Sequence, residues 1–213
     1  MSVEDLTEML DAACKSLVEA RGGSYSSMED LKKVAVWLTS QRRFGLLLVG
    51  SVGTGKTTIA RAIAAVINHL QFGRVNYEKD GVRYKGFVSY GEWQQEGVNY
   101  VSEVSAIDIC RIASTDQVRY ESIMKDSALF IDDLGNEPTA VKNYGSEVSP
   151  VAELIDYRND KQMFTIATSN LSPRMSDGKS QFYERYGDRT SSRMGELFDI
   201  ITIKGQDHRK EAK

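Results

Sequence analysis

Cysteine is scarce in this chain of 213 residues, which has only Cys14 and Cys110. The two lie far apart, with no C-x-x-C pair and no histidine pair near them, so the sequence indicates neither a zinc site nor a disulfide framework. We expect both to be buried thiols. With 41% hydrophobic and 27% charged residues, the composition predicts an ordinary globular protein with one apolar core.

Long hydrophobic runs and a strong net charge are also missing. No apolar segment approaches the roughly 18 residues of a membrane-spanning helix, and the N-terminus lacks the basic and apolar regions of a secretory signal. We therefore expect a cytoplasmic protein without a membrane partner. The formal net charge of −3 provides no overall basic field, so any contact with nucleic acid must be local or be supplied by an assembly.

The most informative segment is the octapeptide GSVGTGKT at residues 50–57, which follows an apolar run at 44–49. It fits G-x-x-x-x-G-K-[ST], a loop whose backbone N–H groups surround a triphosphate while the lysine meets the β- and γ-phosphates and the hydroxyl holds Mg²⁺. A buried strand before the loop and an amphipathic helix after it favour this interpretation over an ordinary glycine turn. The predicted nucleotide-binding residues are Gly50, Ser51, Val52, Gly53, Thr54, Gly55, Lys56, Thr57 and Thr58.

Apolar runs alternate with helical patterns along the rest of the chain. The predicted strands are 100–107, 128–133, 163–170 and 197–203, and the predicted helices between them are 113–125 and 148–159. This alternation predicts an α/β fold with a doubly wound, mostly parallel central sheet, whose ligand-binding groups gather at the carboxyl ends of the strands. The length suits one such domain with short extensions.

Two segments fall outside this alternation. Residues 2–40 have helical spacing with a break at 21–24, and they are expected to cover the edge of the nucleotide domain or to form a docking arm for a partner. Residues 71–98 interleave glycines with aromatic and basic residues. They predict an inserted loop or hairpin, which either stacks the bases of single-stranded nucleic acid or packs on its own aromatics.

Two carboxylates end the predicted strand at 128–133. In P-loop enzymes the loop hydroxyl and an acid at the tip of a neighbouring strand hold Mg²⁺, which assigns Thr57 and Asp132 to the metal. Asp133 points in a different direction and can act as general base toward an attacking water. A solvated turn is the alternative for an acid pair seen alone. Glu137, on the adjacent loop, is a second candidate to assist the water.

Two further candidates follow later strands. Asn170 ends its strand where a neutral amide can bond both the water and the γ-phosphate, although an Asx turn is the plain alternative. Arg189 and Arg193 are four residues apart and share one helix face. A guanidinium there can stabilise charge on the transferring phosphoryl group, in its own subunit or in a neighbour, while surface salt bridges would explain the pair equally simply.

Taken together, the motifs resemble those of the AAA+ ATPases of the DnaC-like helicase loader and IstB-like transposition helper group. The resemblance rests on residues 50–57, 131–135 (IDDLG), 168–171 (TSNL) and 186–194 (YGDRTSSRM), and it covers about 44–204. The first motif is generic, whereas the combination of the other three is more specific. The resemblance implies a three-layer P-loop fold without the usual helical lid domain.

The resemblance also implies roles for the site residues. Lys56 and Thr57 would bind ATP and Mg²⁺, Asp132 would be the Walker B metal acid, and Asn170 would be the sensor 1 residue. Arg193 would be the arginine finger presented to the adjacent subunit, with Arg189 beside it.

Domain organisation and function follow from the same resemblance. It divides the chain into a helical extension at 1–43, the ATPase domain at 44–204 and a charged tail at 205–213. It implies an ATP-dependent homo-oligomer that engages single-stranded DNA and a replicative helicase, or else a transposase. Many AAA+ proteins have glutamate at the position of Asp133, so we expect slow, switch-like hydrolysis. A small P-loop kinase and a module that holds ATP without turnover are the remaining alternatives.

Overall fold

The computed structural model describes residues 1–39, 43–70, 72–79, 82–89, 101–143, 146–173 and 180–205. The helices are α1 (Val3–Glu19), α2 (Leu31–Thr39), α3 (Lys56–Leu70), α4 (Ala106–Thr115), α5 (Gln117–Lys125), α6 (Pro150–Asp160) and α7 (Gln181–Leu197). The strands are β1 (Gly45–Val49), β2 (Phe72–Lys79), β3 (Val82–Ser89), β4 (Ser102–Ser105), β5 (Ala128–Leu134), β6 (Val141–Asn143), β7 (Ser146–Val148), β8 (Phe164–Ser169) and β9 (Phe198–Thr202).

Five strands form a parallel sheet in the order β4-β5-β8-β1-β9. β1 lies between β8 and β9, with Val49 paired to Ser169 on one side and to Thr202 on the other. All five strands therefore end at the same edge, where ligands bind in open parallel sheets. The loop at 50–55, the acids of β5 and the end of β8 meet at this edge.

Both faces of the sheet are covered by helices. Leu46 and Leu48 of β1 pack in a cluster with residues of α1, α2 and α3. Leu47 and Val49 pack on the opposite face with residues of α4, α6 and α7. Because alternate residues of a strand point to opposite faces, a run buried on both sides is continuously apolar. The predicted three-layer α/β fold with a parallel central sheet is confirmed.

The prediction of strand 100–107 is wrong at its C-terminal end. β4 ends at Ser105, and α4 begins at Ala106. The Ser105 side chain accepts a hydrogen bond from the backbone N–H of Asp108, so it acts as a helix N-cap and stops the strand.

The segment predicted to be helical at 113–125 is confirmed except at Asp116, where α4 has ended and α5 has not begun. Asp116 separates α4 from α5 with φ −147° and ψ 85°, and its carboxylate caps α5 through the N–H of Arg119. A side chain that bonds its own backbone favours such breaks over helix interiors.

Two antiparallel pairs stand apart from the main sheet. β2 and β3 pair with Tyr77 opposite Tyr84, and β6 pairs with β7. Within the predicted insertion, residues 71, 80, 81 and 90–98 lie outside the described residues, as do residues 206–213 of the predicted charged tail. No helix follows β9 in the part of the chain described, which reaches residue 205.

The N-terminal helices share the first core cluster with β1 and α3. α1 begins at a capping box in which Ser2 and Asp5 exchange hydrogen bonds, and it buries Leu6, Leu10 and Cys14. Both cysteines are free and buried, as expected from the sequence. None of the helices in the described ranges has the length and apolarity needed to cross a membrane.

Candidate nucleotide-binding site

A cavity of about 760 Å³ lies at the carboxyl ends of β1, β5 and β8. Its size is that of a pocket for a small ligand. The lining residues are Val18, Arg21, Ser24, Tyr25, Ser26, Met28, Val52, Gly53, Gly55, Lys56, Thr57, Thr58, Arg61, Asp132, Asp133, Asn136 and Asn170. The cavity thus gathers most of the residues that the sequence predicts to bind nucleotide or metal.

The loop at 50–55 turns tightly between β1 and α3. Gly53 and Gly55 have φ values of 81° and 88°, a conformation that side chains with a Cβ rarely adopt. Thr54 is buried and its hydroxyl donates to the carbonyl of Ser51 at 2.9 Å. These features define the shape of the loop, and α3 starts directly behind it with its N-terminus toward the cavity.

Lys56 is the first residue of α3 and is almost fully buried, with 5% exposure. Its ammonium donates to the carbonyls of Gly50 and Ser51 at 2.9 and 2.8 Å, and to Oδ1 of Asn170 at 2.8 Å. A buried charge needs such partners. The structure thus brings the predicted phosphate-binding lysine and the predicted sensor residue into direct contact.

Thr57 and Asp132 are joined as well. The Thr57 hydroxyl donates to Oδ1 of Asp132 at 2.9 Å, although the two residues are 75 positions apart. One hydroxyl and one carboxylate are oxygen ligands of the kind that Mg²⁺ takes together with substrate phosphates. No group of three His, Cys, Asp or Glu side chains within the described residues could form an all-protein metal cage. The donor set therefore fits Mg²⁺ shared with a phosphate.

Thr168, the first residue of the TSNL motif, contacts both acids. Its hydroxyl donates to Oδ1 of Asp132 at 2.6 Å and accepts the backbone N–H of Asp133 at 2.9 Å. Thr168 is fully buried at 0% exposure. The sequence indicated the motif but not this role, because a threonine in a buried strand has no distinctive pattern.

Asp133 has an unusual backbone conformation. Its φ of 57° is left-handed, which is uncommon for a residue other than glycine and carries strain. The conformation begins a turn in which the N–H of Asn136 donates to the carbonyl of Asp133 at 3.1 Å. This turn directs Asp133 and Asn136 to the cavity that contains Asp132. Its catalytic role stays a prediction.

Glu137 does not assist at the cavity, contrary to the suggestion from the sequence. It is 4% exposed, is absent from the cavity lining, and accepts the N–H of Gly135 and the hydroxyl of Tyr186. Its position toward α7 depends on the direction of the turn, which the local sequence does not specify.

Arg189 and Arg193 lie on α7, away from the cavity lining. Arg193 is 22% exposed and contacts Oδ2 of Asp160 at 3.2 Å and Oδ2 of Asp156 at 3.5 Å. Arg189 is 77% exposed and has a 3.4 Å contact with Asp156. The two arginines therefore form ion pairs with α6 and do not line the cavity of their own chain.

The segment between α1 and α2 supplies one wall of the cavity, which sequence reasoning missed. Arg21, Tyr25 and Met28 line it, and a Cβ on Gly55 would come within 3.1 Å of Cε of Met28. The hydroxyl of Tyr25 donates to Asp11 of α1 at 2.7 Å. This hydrogen bond and burial raise the pKa of Tyr25 strongly, with burial as the larger cause, so its phenol stays protonated.

Arg61 is a further cavity-lining residue that the sequence did not indicate. It lies on α3 and lines the cavity, and its guanidinium makes a bidentate ion pair with Glu103 of β4, with N···O distances from 2.6 to 3.1 Å. This pair raises the pKa of Arg61. The sequence offered only its helix position.

The fold and the site define a P-loop nucleotide-binding protein. A comparison with family sequence profiles matches residues 46–189 to the ATPase family associated with various cellular activities (AAA). This match covers more than half of the chain, and the chain belongs to that family. The prediction of AAA+ membership is confirmed, and with it the expectation of a nucleotide-binding ATPase domain.

Solved structures show the same fold. The DnaC helicase loader superposes with a TM-score of 0.55 at 19% identity, covering 85% of this chain and 94% of the other. DnaI superposes with a TM-score of 0.52 at 20% identity, covering 95% and 93%. A comparison with curated protein sequences finds no match. The likeness to DnaC that the motifs predicted is therefore present in the fold.

Proposed function

We propose that this protein binds ATP with Mg²⁺, hydrolyses it slowly, and acts as a loader of a replicative helicase. The observation that carries the proposal is the convergence of Lys56, Asn170, Thr57 and Asp132 in one cavity. A lysine that is already buried beside an amide, and a hydroxyl already joined to a carboxylate, form a preorganised polar site. Such preorganisation is the main source of catalysis in phosphoryl transfer.

Each of these residues has a separate role in hydrolysis. The N–H groups of the loop and the ammonium of Lys56 hold the β- and γ-phosphates. Thr57 and Asp132 hold Mg²⁺, which neutralises charge on the phosphate oxygens when bound. Asn170 orients the attacking water against the γ-phosphate.

Asp133 accepts the proton of that water. The water oxygen forms a bond to the γ-phosphorus, the bond from this phosphorus to the bridging oxygen breaks, and ADP leaves. The carboxylate of aspartate is one methylene shorter than that of glutamate, so its reach toward the water is reduced. We therefore expect slow turnover that a partner or DNA stimulates.

Arg193 and Arg189 act between subunits. Both lie outside the cavity of their own chain, on a helix whose surface remains partly exposed. In a homo-oligomer formed in the ATP state, Arg193 would reach the γ-phosphate held by the neighbouring subunit, with Arg189 beside it. A finger supplied in trans makes hydrolysis depend on assembly.

The loader role draws its support from the extent of structural likeness. The DnaC helicase loader shares its fold with 85% of this chain, and the chain covers 94% of that structure. We infer from this that the ordered subunits engage single-stranded DNA and a replicative helicase in the cytoplasm. Hydrolysis then releases the partner.

The test combines assembly and turnover. The protein is mixed with ATP, ADP or no nucleotide, with and without single-stranded DNA, and its mass is followed by light scattering while phosphate release is measured. Oligomers formed only with ATP and faster turnover with DNA are the expected results. An unchanged monomer that releases no phosphate under all conditions would refute the proposal.

The client is tested by co-purification of defined partners. A purified replicative helicase should be retained by the protein in ATP, and a purified transposase should not. Retention of the transposase alone would indicate that the protein is a transposition helper with the same ATPase chemistry. Transfer of labelled phosphate to a small acceptor would instead indicate a P-loop kinase.

A further inference from the structure

A buried carboxylate connects the two halves of the proposed machinery. Oε2 of Glu137 accepts the backbone N–H of Gly135 at 2.8 Å, and its Oε1 accepts the hydroxyl of Tyr186 at 2.6 Å. The Glu137 side chain is only 2% exposed. Hydrogen bonds to a buried carboxylate are strong and directional, because no water can replace either donor.

One end of this connection is the turn after β5. Gly135 and Glu137 belong to the same turn as Asp133 and Asn136, both of which line the cavity. The turn packs closely against Leu171, because a Cβ added to Gly135 would come within 2.5 Å of that side chain. A displacement of Glu137 must therefore displace the turn that carries Asp133.

The other end is the helix of the two arginines. Tyr186 lies on α7 immediately before Gly187, whose φ of 76° and ψ of 177° break the helix into two parts. The part that follows carries Arg189 and Arg193. The hydroxyl of Tyr186 thus fixes α7 to the turn at the point where the helix changes direction.

A cationic side chain, that of Arg185, is close to the same carboxylate. Nη2 of Arg185 lies 3.7 Å from Oε1 of Glu137, too far for a hydrogen bond, and Nε and Nη2 of Arg185 are buried without hydrogen-bond partners. Arg185 therefore balances the charge of Glu137 but does not fix its geometry. The geometry depends on Tyr186, whose pKa is raised by burial and by the carboxylate, so that it remains a donor.

We propose that Glu137 is a positioning residue which, through Tyr186, couples the turn carrying Asp133 in one subunit to the arginines that the same subunit presents to its neighbour. The coupling rests on the proposed function, because it requires hydrolysis and an arginine acting in trans. Through it, the state of one ATP site is transmitted to the next site around the oligomer. Neither Glu137 nor Tyr186 is among the residues that line the cavity.

The first experiment separates turnover from binding in a homogeneous assembly. Tyr186→Phe removes one hydroxyl and keeps the ring, and we expect kcat to fall about five-fold with little change in the affinity for ATP, a size typical of mutations at coupling positions. Tyr120→Phe is the matched control, since its buried hydroxyl donates to the carbonyl of Pro150 at 2.7 Å, and Pro150 belongs neither to the turn nor to α7. The control should leave kcat unchanged.

The second experiment asks whether Tyr186 acts on the neighbouring site. Wild-type subunits are mixed with Lys56→Ala subunits, which are expected to lack turnover of their own, with or without Tyr186→Phe in the same dopant chain. The dopant carrying Tyr186→Phe should lower the turnover of the wild-type sites further, whereas Lys56→Ala with Tyr120→Phe should behave as Lys56→Ala alone. A purely structural role would not change a neighbour's turnover.

The outcomes are distinguishable from failure of the proposed function. If the wild-type protein hydrolyses no ATP, the proposed function fails. If it hydrolyses ATP but Tyr186→Phe and Glu137→Gln both retain the wild-type kcat, or if the two dopants give equal turnover, the coupling is refuted alone. If thermal denaturation shows that Tyr186→Phe is poorly folded, the kcat of Glu137→Gln, which keeps the side-chain size, provides the test of the coupling.

Discussion

The ammonium of Lys56 donates a 2.8 Å hydrogen bond to Oδ1 of Asn170, which joins the phosphate-binding loop to the end of a strand 114 residues later. The position of β1 directly beside β8 makes this contact possible. The loop and the predicted sensor therefore form one unit, and a change at either residue is transmitted to the other without an intermediate.

Replacement of Lys56 tests the phosphate site. Lys56→Ala should weaken ATP binding by about ten-fold to a hundred-fold, because a hydrogen bond from a charged donor contributes about 1.5–3 kcal/mol. Titration calorimetry with MgATP measures this. Lys125→Ala, which removes a surface lysine paired only loosely with Glu121, is the matched control and should bind normally. Wild-type affinity in Lys56→Ala would remove the loop from the mechanism.

Replacement of Asp132 tests the metal site. Asp132→Asn keeps an oxygen that can accept from Thr57 and Thr168, so the fold is preserved while the charge is lost. In the parent protein Mg²⁺ should strengthen ATP binding. In Asp132→Asn the same addition of Mg²⁺ should strengthen ATP binding by a factor at least about ten-fold smaller. The comparison is made by fluorescence of a labelled nucleotide with Mg²⁺ and with a chelator. An Asp108→Asn control should retain the full effect of Mg²⁺, and an equal effect in both variants would contradict the assignment.

Replacement of Arg193 tests action in trans. Arg193→Ala should keep ATP binding but lose about three orders of magnitude in turnover within the assembly, which is the usual contribution of an arginine finger. Phosphate release and light scattering are measured together. Asp160→Asn, which removes an ion-pair partner of Arg193 at 3.2 Å but keeps the guanidinium, controls for lost stability. If Arg189→Ala alone abolished turnover, the finger would be Arg189.

Two glycines give opposite expectations for the same substitution. Gly135→Ala should destabilise the protein by about 2 kcal/mol and lower turnover, because its φ of 95° and the close side chain of Leu171 leave no room for a methyl group. Gly195→Ala, exposed on α7 with nothing within 4 Å of the added carbon, should stabilise by up to about 1 kcal/mol. Urea denaturation distinguishes them, and equal shifts would argue against the described turn.

The thiols provide a test of the core. Burial raises the pKa of Cys14 to about 12 and that of Cys110 to about 11, so neither forms a thiolate near neutral pH. We expect no reaction with a thiol reagent in the native protein and reaction of both in urea. Because the pKa values are higher in the folded state, their contribution to stability is complete below about pH 8.5 and is lost as the pH rises toward 11 and 12. Rapid labelling of the native protein would contradict the packing of α1 and α4.

The sequence predicts the loop and the sheet well for local reasons. The contiguous pattern at 50–57 specifies its own geometry, and β1, β5 and β8 are mainly apolar before their carboxyl ends because both of their faces are buried there. The acids and Asn170 could be placed at one edge because parallel strands end together. The C-terminal end of β4 was harder to predict, because Ser105, whose hydroxyl caps α4, is also compatible with a position in a strand.

Contacts between distant segments could not be predicted in this way. The role of Thr168 depends on β5 lying beside β8, and that of Glu137 depends on the direction of a turn with two left-handed residues, Asp133 and Gly135. The ion pairs of Arg193 with α6 likewise require the packed positions of two helices. None of these arrangements has a period or spacing in the sequence.

The wall that residues 21–28 form over the phosphate loop has a thermodynamic consequence. Tyr25 and Met28 line the same cavity as Lys56, so a ligand bound there would meet both the N-terminal segment and the phosphate loop. Ligand occupancy and the docking of α1 and α2 are then linked equilibria, in which each favours the other by mass action. The degree to which α1 and α2 are docked should therefore depend on whether the cavity of the same chain holds a ligand.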